Sequence, residues 1–164
     1  MKTPRVAAAA SASLFLPALL AAVSQRIPVV TQVQGVVFYR TFLMIGVASG
    51  SPSVTPTLTL TYRSPSDGSV QSPALTLDEP IAGGQSRTFE DVLQAFKDAG
   101  AIRAADHDAG LFGTLEVEAP TLTDPSQLSV VARTYSPAAG GGTNGIAYVG
   151  RDTAISGSTA GVVA

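Results

Sequence analysis

Beyond residue 24 the chain alternates apolar and polar positions with a period of two far more often than with the helical period of about 3.6. The clearest stretch is Thr57-Leu58-Thr59-Leu60-Thr61-Tyr62-Arg63, which puts Leu58, Leu60 and Tyr62 on one face and three threonines on the other. This is the signature of a half-buried strand, and Ser64-Pro65-Ser66-Asp67-Gly68 follows it with turn-forming residues. Further strands are predicted over Ile27 to Val33, Val37 to Ala48, Ala74 to Leu77, Gly113 to Ala119, Leu128 to Tyr135 and Gly145 to Val149. Val37 to Ala48 is apolar on both faces and so belongs in the middle of a sheet, while Gly113 to Ala119 turns Leu115 and Val117 inward. Pro52, Pro56, Pro73, Pro80, Pro120 and Pro125 sit at strand ends, where a missing backbone donor does little harm.

One segment has the helical period instead. Phe89, Val92, Leu93 and Phe96 fall at i, i+3, i+4 and i+7, with Thr88 as N-cap, Asp91 three residues on, Lys97 in the last turn and Gly100 as terminator. A helix over Thr88 to Ala99 is therefore expected, covering an open end of the sheets. Short strands separated by turns, with one helix, predict a mainly β fold, an antiparallel β-sandwich of immunoglobulin-like architecture; a closed barrel is the alternative.

The first 24 residues change the picture by saying where this domain works. A basic start (Met1, Lys2, Arg5) runs into an apolar stretch from Val6 to Val23 and the small-residue site Ala22-Val23-Ser24, the three-part pattern of a secretory signal peptide. A transmembrane anchor fits less well, because Ala and Ser fill half of the stretch and Pro17 would interrupt a spanning helix. Cleavage after Ser24 would start the mature chain at Gln25 and leave no membrane span, and the expected location is secreted, periplasmic or extracellular. The organisation read from the sequence is a signal peptide at 1–24, a β-sandwich domain at 25–150, and a Gly-, Ser- and Ala-rich end at 151–164, a flexible tail or the start of a further unit.

Losing Lys2 and Arg5 and no acid takes the net charge from −2 to about −4, and no basic run remains to bind nucleic acid. The absence of cysteine excludes disulfides, thiolate metal sites and a cysteine nucleophile. The exported domain must be held by its core alone.

Few residues offer chemistry. His107, the only histidine, lies between Asp106 and Asp108; the triplet suggests a cation site, but three adjacent side chains do not converge on one ion without further ligands, and a solvated loop is the expectation. With no Gly-x-Ser-x-Gly elbow, any serine triad would have to run through His107. Glu116 and Glu118 share a strand face at a spacing that a paired-carboxylate hydrolase could use, though a solvent face explains them as well. The run Gly140 to Asn144 lacks the Lys-Ser or Lys-Thr of a phosphate loop and reads as a mobile linker. Arg40 and Arg133 stand in apolar strands, beside Tyr39 and Tyr135, and read as structural arginines rather than ligand-facing ones. No catalytic, cofactor-binding or metal-binding residue is assigned.

Three segments, Tyr39-Arg40-Thr41 with the Pro-containing loop after it, Gly83-Gly84-Gln85-Ser86-Arg87-Thr88-Phe89-Glu90-Asp91-Val92-Leu93, and Ala132-Arg133-Thr134-Tyr135 with the glycine-rich Gly140 to Gly145, resemble in order and spacing an uncharacterised family of exported bacterial β-sandwich domains. The resemblance spans about residues 27 to 150, and relatives of this kind often continue into a second β-unit. It implies a structural or adhesive role at the cell surface. The expected function is thus a non-enzymatic exported module with a protein or glycan partner outside the cytoplasm. The alternatives are a carbohydrate or small-ligand binding module, disfavoured by the lack of Trp, and a carboxylate-dependent hydrolase.

Overall fold

The structure, a computed structural model, describes residues 22–35 and 37–152. Among the described residues ten antiparallel strands and two short α-helices form a mainly β fold, as the alternation predicts. The strands are β1 (Val23–Gln34), β2 (Phe38–Val47), β3 (Thr57–Arg63), β4 (Val70–Gln71), β5 (Ala74–Thr76), β6 (Ser86–Phe89), β7 (Leu111–Ala119), β8 (Leu128–Pro137), β9 (Thr143–Val149) and β10 (Arg151–Asp152), with helices α1 (Val92–Asp98) and α2 (Ala104–Ala109) between β6 and β7. They fall into two hydrogen-bonded groups. In one, β7 lies between β3 and β1, with β4 and β5 on the far edge of β3 and β10 on β1. In the other, β2 lies between β6 and β8, and β9 closes the far edge of β8.

The groups are joined where the β1–β2 hairpin begins, through the pairs Val33 with Tyr39 and Gln34 with Phe38. One rung further on the two strands part, and a side chain takes over from the ladder. Thr41 Oγ1 accepts from the Thr31 amide at 2.9 Å and donates to the Thr31 carbonyl at 2.9 Å, while the backbone of Thr41 pairs with Thr134 of β8. Thr41 is fully buried. A single hydrophobic cluster draws on both groups, with Ile27, Leu58, Leu60, Leu115 and Val117 from one and Leu43, Ile45, Val130 and Ala132 from the other.

β1 carries a register shift between Ile27 and Val30 in its pairing with β7. Pro28, which has no amide to give to a ladder, lies in that gap. The shift changes which side chains face inward: Val23, Gln25 and Ile27 are buried before it, Val30, Thr31 and Gln32 after it.

The helical segment is shorter than its sequence pattern. Thr88 and Phe89 belong to β6, paired with Met44 and Leu43, and Asp91 is the N-cap, accepting from the amides of Leu93 at 3.1 Å and Gln94 at 3.2 Å. The open edge of β2 offers a β-branched Thr and an aromatic Phe ladder bonds that an extra helical turn could not match. Val92, Leu93 and Phe96 remain the buried stripe. The end at Gly100 is as expected: its φ of 68° and the bonds Gly100 N to Lys97 O and Ala101 N to Phe96 O make a Schellman turn.

Of the predicted leader, residues 1–21 lie outside the described residues. Val23 and Ser24 are inside, already paired in β1 with Ala119 and Glu118, so the strand starts ahead of the expected mature terminus at Gln25. At the other end Arg151 and Asp152 pair with Arg26 and Gln25, and the rest of the expected tail lies outside the described residues. No helix among the described residues is long and apolar enough to cross a membrane.

Candidate functional site

The Asp106-His107-Asp108 triplet is not a solvated loop but the body of α2, and that changes the reading of all three residues. Successive residues on a helix point about 100° apart, so the acids and the imidazole go to different places. Asp106 is fully buried and accepts from Tyr62 Oη at 3.1 Å, Ser64 Oγ at 2.9 Å, Arg103 Nε at 2.9 Å and the Ser66 hydroxyl. Those donors, the Ser66 bond foremost, hold its carboxyl below the usual aspartate range. Arg103 reaches on to Asp67 at 3.2 Å, so this cluster ties α2 to the β3–β4 turn. The three side chains do not converge, and among the described residues no group of three or more His, Asp or Glu side chains is placed to hold a metal.

His107 faces the other way, toward the end of β1, and is 6% exposed. Its Nδ1 lies 3.0 Å from Asp108 Oδ1, and Lys97 Nζ donates to the same oxygen at 2.7 Å. Lys97 first and His107 second hold the Asp108 carboxyl below its ordinary value. A carboxylate only accepts, so Nδ1 carries the proton of that contact, and in the neutral ring Nε2 is left with a lone pair. That Nε2 is buried and has no partner.

Beside it lies a cavity of about 200 Å³, walled by Gln32, Val33, Gln34, Phe38, His107, Asp108 and Gly110. Gln32, also 6% exposed, holds a second buried acceptor with no partner, its Oε1. The cavity therefore joins the end of β1, the start of β2 and α2, and Val37, Phe38 and Tyr39 stand exposed beside it. An imidazole oriented by a carboxylate has the form of a general base, but no serine or threonine is among the wall residues, and a triad through His107 does not assemble.

The other candidates are placed apart from this cavity. Glu116 and Glu118 lie on the face of β7 away from the core, and Glu116 is engaged by Arg26 across the β1 rung at 2.9 Å. Arg40 and Arg133 bracket the ring of Tyr135, 5.0 Å and 5.6 Å from its centroid, and Arg133 also donates to Thr143 Oγ1 at 2.7 Å. This is the structural use of arginine, stacking on an aromatic face and tying adjacent strands. The glycine run is a formed turn between β8 and β9, closed by Gly141 N to Ala138 O and Ala138 N to Gly142 O, with positive φ at Gly141 and Gly142. Only glycine adopts two such consecutive conformations without strain.

Sequence reasoning missed Gln32. The alternation of a regular β1 would not turn Val30 and Gln32 inward together after Ile27; the proline within the strand was the available sign of a change of phase.

No protein-family model matches the chain, and no curated protein and no solved structure matches it at a significant level.

Proposed function

We propose that this chain is an exported, non-enzymatic β-module with a structural or adhesive role at the cell surface or in the extracellular space, and that it meets its partner with the end of the β1–β2 hairpin. The observation that carries this reading is the run Val37, Phe38 and Tyr39, three consecutive large side chains each more than a third exposed. Single exposed apolar residues are ordinary on a protein surface, but a contiguous group beside a concavity is the usual form of a contact site. The leader-like start and the resemblance to exported β-domains support the same reading.

The test is attachment. The double variant Phe38→Ser, Tyr39→Ser, secreted from its host, should keep the β-rich circular dichroism spectrum and lose association with the cell surface. Undiminished attachment by the folded variant, or saturable turnover of a substrate by the purified protein, would overturn the proposal.

A further inference from the structure

β1 carries two buried glutamines, and they differ in one respect. The Gln25 amide is fully used by the sheet, its Nε2 donating to Leu128 O at 2.6 Å and its Oε1 accepting from Val130 N at 3.1 Å. The Gln32 Oε1 has no donor, and His107, which lines the same cavity, has a buried Nε2 that is also without a partner. Buried acceptors without donors destabilise a fold, and native structures keep few of them. Two that share one cavity wall, while the other glutamine of the strand is satisfied, mark a place left for an outside donor.

We infer that this cavity binds a small neutral ligand with adjacent hydroxyl groups, a free polyol or the terminal sugar of a glycan, whose hydroxyls donate to Gln32 Oε1 and His107 Nε2. The inference rests on the reading of the hairpin end as the binding face. Four observations define the ligand. The cavity, about 200 Å³, exceeds the roughly 30 Å³ that a single water occupies, so it has room for a small ligand rather than one water. Lys97 is ion-paired to Asp108, so the acid in the wall offers no unbalanced charge to hold an ammonium group. Gln32 Oε1 only accepts, and His107 Nε2 accepts in the neutral ring and donates in the charged one, so a hydroxyl, which can do either, suits the pair where a carbonyl or phosphate oxygen does not. Phe38 and Val33 supply the apolar wall that the C–H face of a sugar packs against, and Gln34 adds an amide at the rim. The last torsion of a glutamine is broad, so the Gln32 amide can turn to meet a ligand at little cost.

The experiment is a titration of the purified full chain with glycerol, inositol and a set of free monosaccharides, and in parallel with immobilised polysaccharides, read by side-chain amide and imidazole NMR shifts and by retention. Millimolar binding that shifts the Gln32 amide and His107 ring supports the proposal; response to free compounds identifies a polyol ligand, response confined to polysaccharide a glycan end. Gln32→Met, which removes the orphaned acceptor at similar volume, should weaken that binding by about tenfold or more without lowering the thermal midpoint. Gln25→Met should lower the midpoint, because its partners are backbone groups of β8. No response to any hydroxylated probe, or binding unchanged in Gln32→Met, overturns the proposal. So does a lowered midpoint in Gln32→Met, which would make Gln32 a strut completed by a trapped water. Attachment through Phe38 and Tyr39 is scored separately: if it persists while every probe fails, the sugar site falls and the adhesive reading stands.

Discussion

Replacing Thr41 by valine tests the joint on which the two strand groups turn. The hydroxyl accepts from the Thr31 amide and donates its one proton to the Thr31 carbonyl, so the Thr134 hydroxyl, 3.0 Å away, must donate to it. Valine keeps the shape and removes all three bonds. The amide of Thr31, a residue only 4% exposed, is then a stranded donor, which costs about 1–3 kcal/mol, and the carbonyl loses a bond with a net worth of about 0.5–1.5 kcal/mol. The Thr134 side chain is half-buried and can turn to water. The new methyl offsets about 0.8 kcal/mol. The middle of these ranges leaves a net loss of about 2 kcal/mol, equivalent to a fall of about 4–8 °C in thermal midpoint for a chain of this size. Thr41→Ser keeps the hydroxyl and loses one methyl, at about 1 kcal/mol. Urea unfolding of the three proteins, with equal slopes, measures the difference. If the valine variant is as stable as the serine variant, the bridging hydroxyl does not hold β1 to β2 and the account of the joint is wrong.

Four further outcomes follow from the same geometry. Phe96→Ala, at a fully buried position on α1, should cost about 3–5 kcal/mol by urea unfolding. Asp106, Asp108 and Asp124 are held below the ordinary aspartate value by the Ser66, Lys97 and Ser126 hydrogen bonds respectively, so the stability they add is complete above the unfolded value of about 3.9 and is lost as pH falls through their lower folded values; the urea midpoint should decline only below about pH 4. Asp91 has the opposite sign, since burial raises its pKa and its ionised form opposes folding near neutrality; Asp91→Asn keeps a good N-cap and should leave stability at about pH 7 unchanged or higher, and a clear loss would show that its charge is needed. Gly110→Ala, at φ 94° and with its new Cβ 3.0 Å from Val33 Cγ2, should lower the thermal midpoint and narrow the cavity by which Phe38 stands.

How much of this could be read beforehand depended on whether local pattern and tertiary demand agreed. In β3 they agree: strict alternation put Leu58, Leu60 and Tyr62 inside, and all three are buried. In β6 they conflict, because Phe89 completes a helical stripe with Val92, Leu93 and Phe96 while the open edge of β2 draws Ser86 to Phe89 into a ladder. β4 and β5 run along one edge of β3, interrupted at Pro73, whose carbonyl still accepts from Leu60, so neither piece is long enough to show a period. α2 has no apolar stripe at all, since its buried side chains are an aspartate and a histidine.

The helix α2 also explains why the candidate site lay half in view. A histidine flanked by two aspartates looks like one cluster in the sequence. Helical geometry instead sends Asp106 into a saturated set of donors and leaves His107 oriented by Asp108, with its remaining nitrogen unpartnered. The same three letters thus provide a strut on one side and a recognition group on the other. What selects between these roles is the neighbouring strand: β3 and its turn bring the hydroxyls of Tyr62, Ser64 and Ser66 to Asp106, which Arg103 completes from its own helix end, whereas β1, shifted in phase near Pro28, brings Gln32 to the cavity that His107 lines.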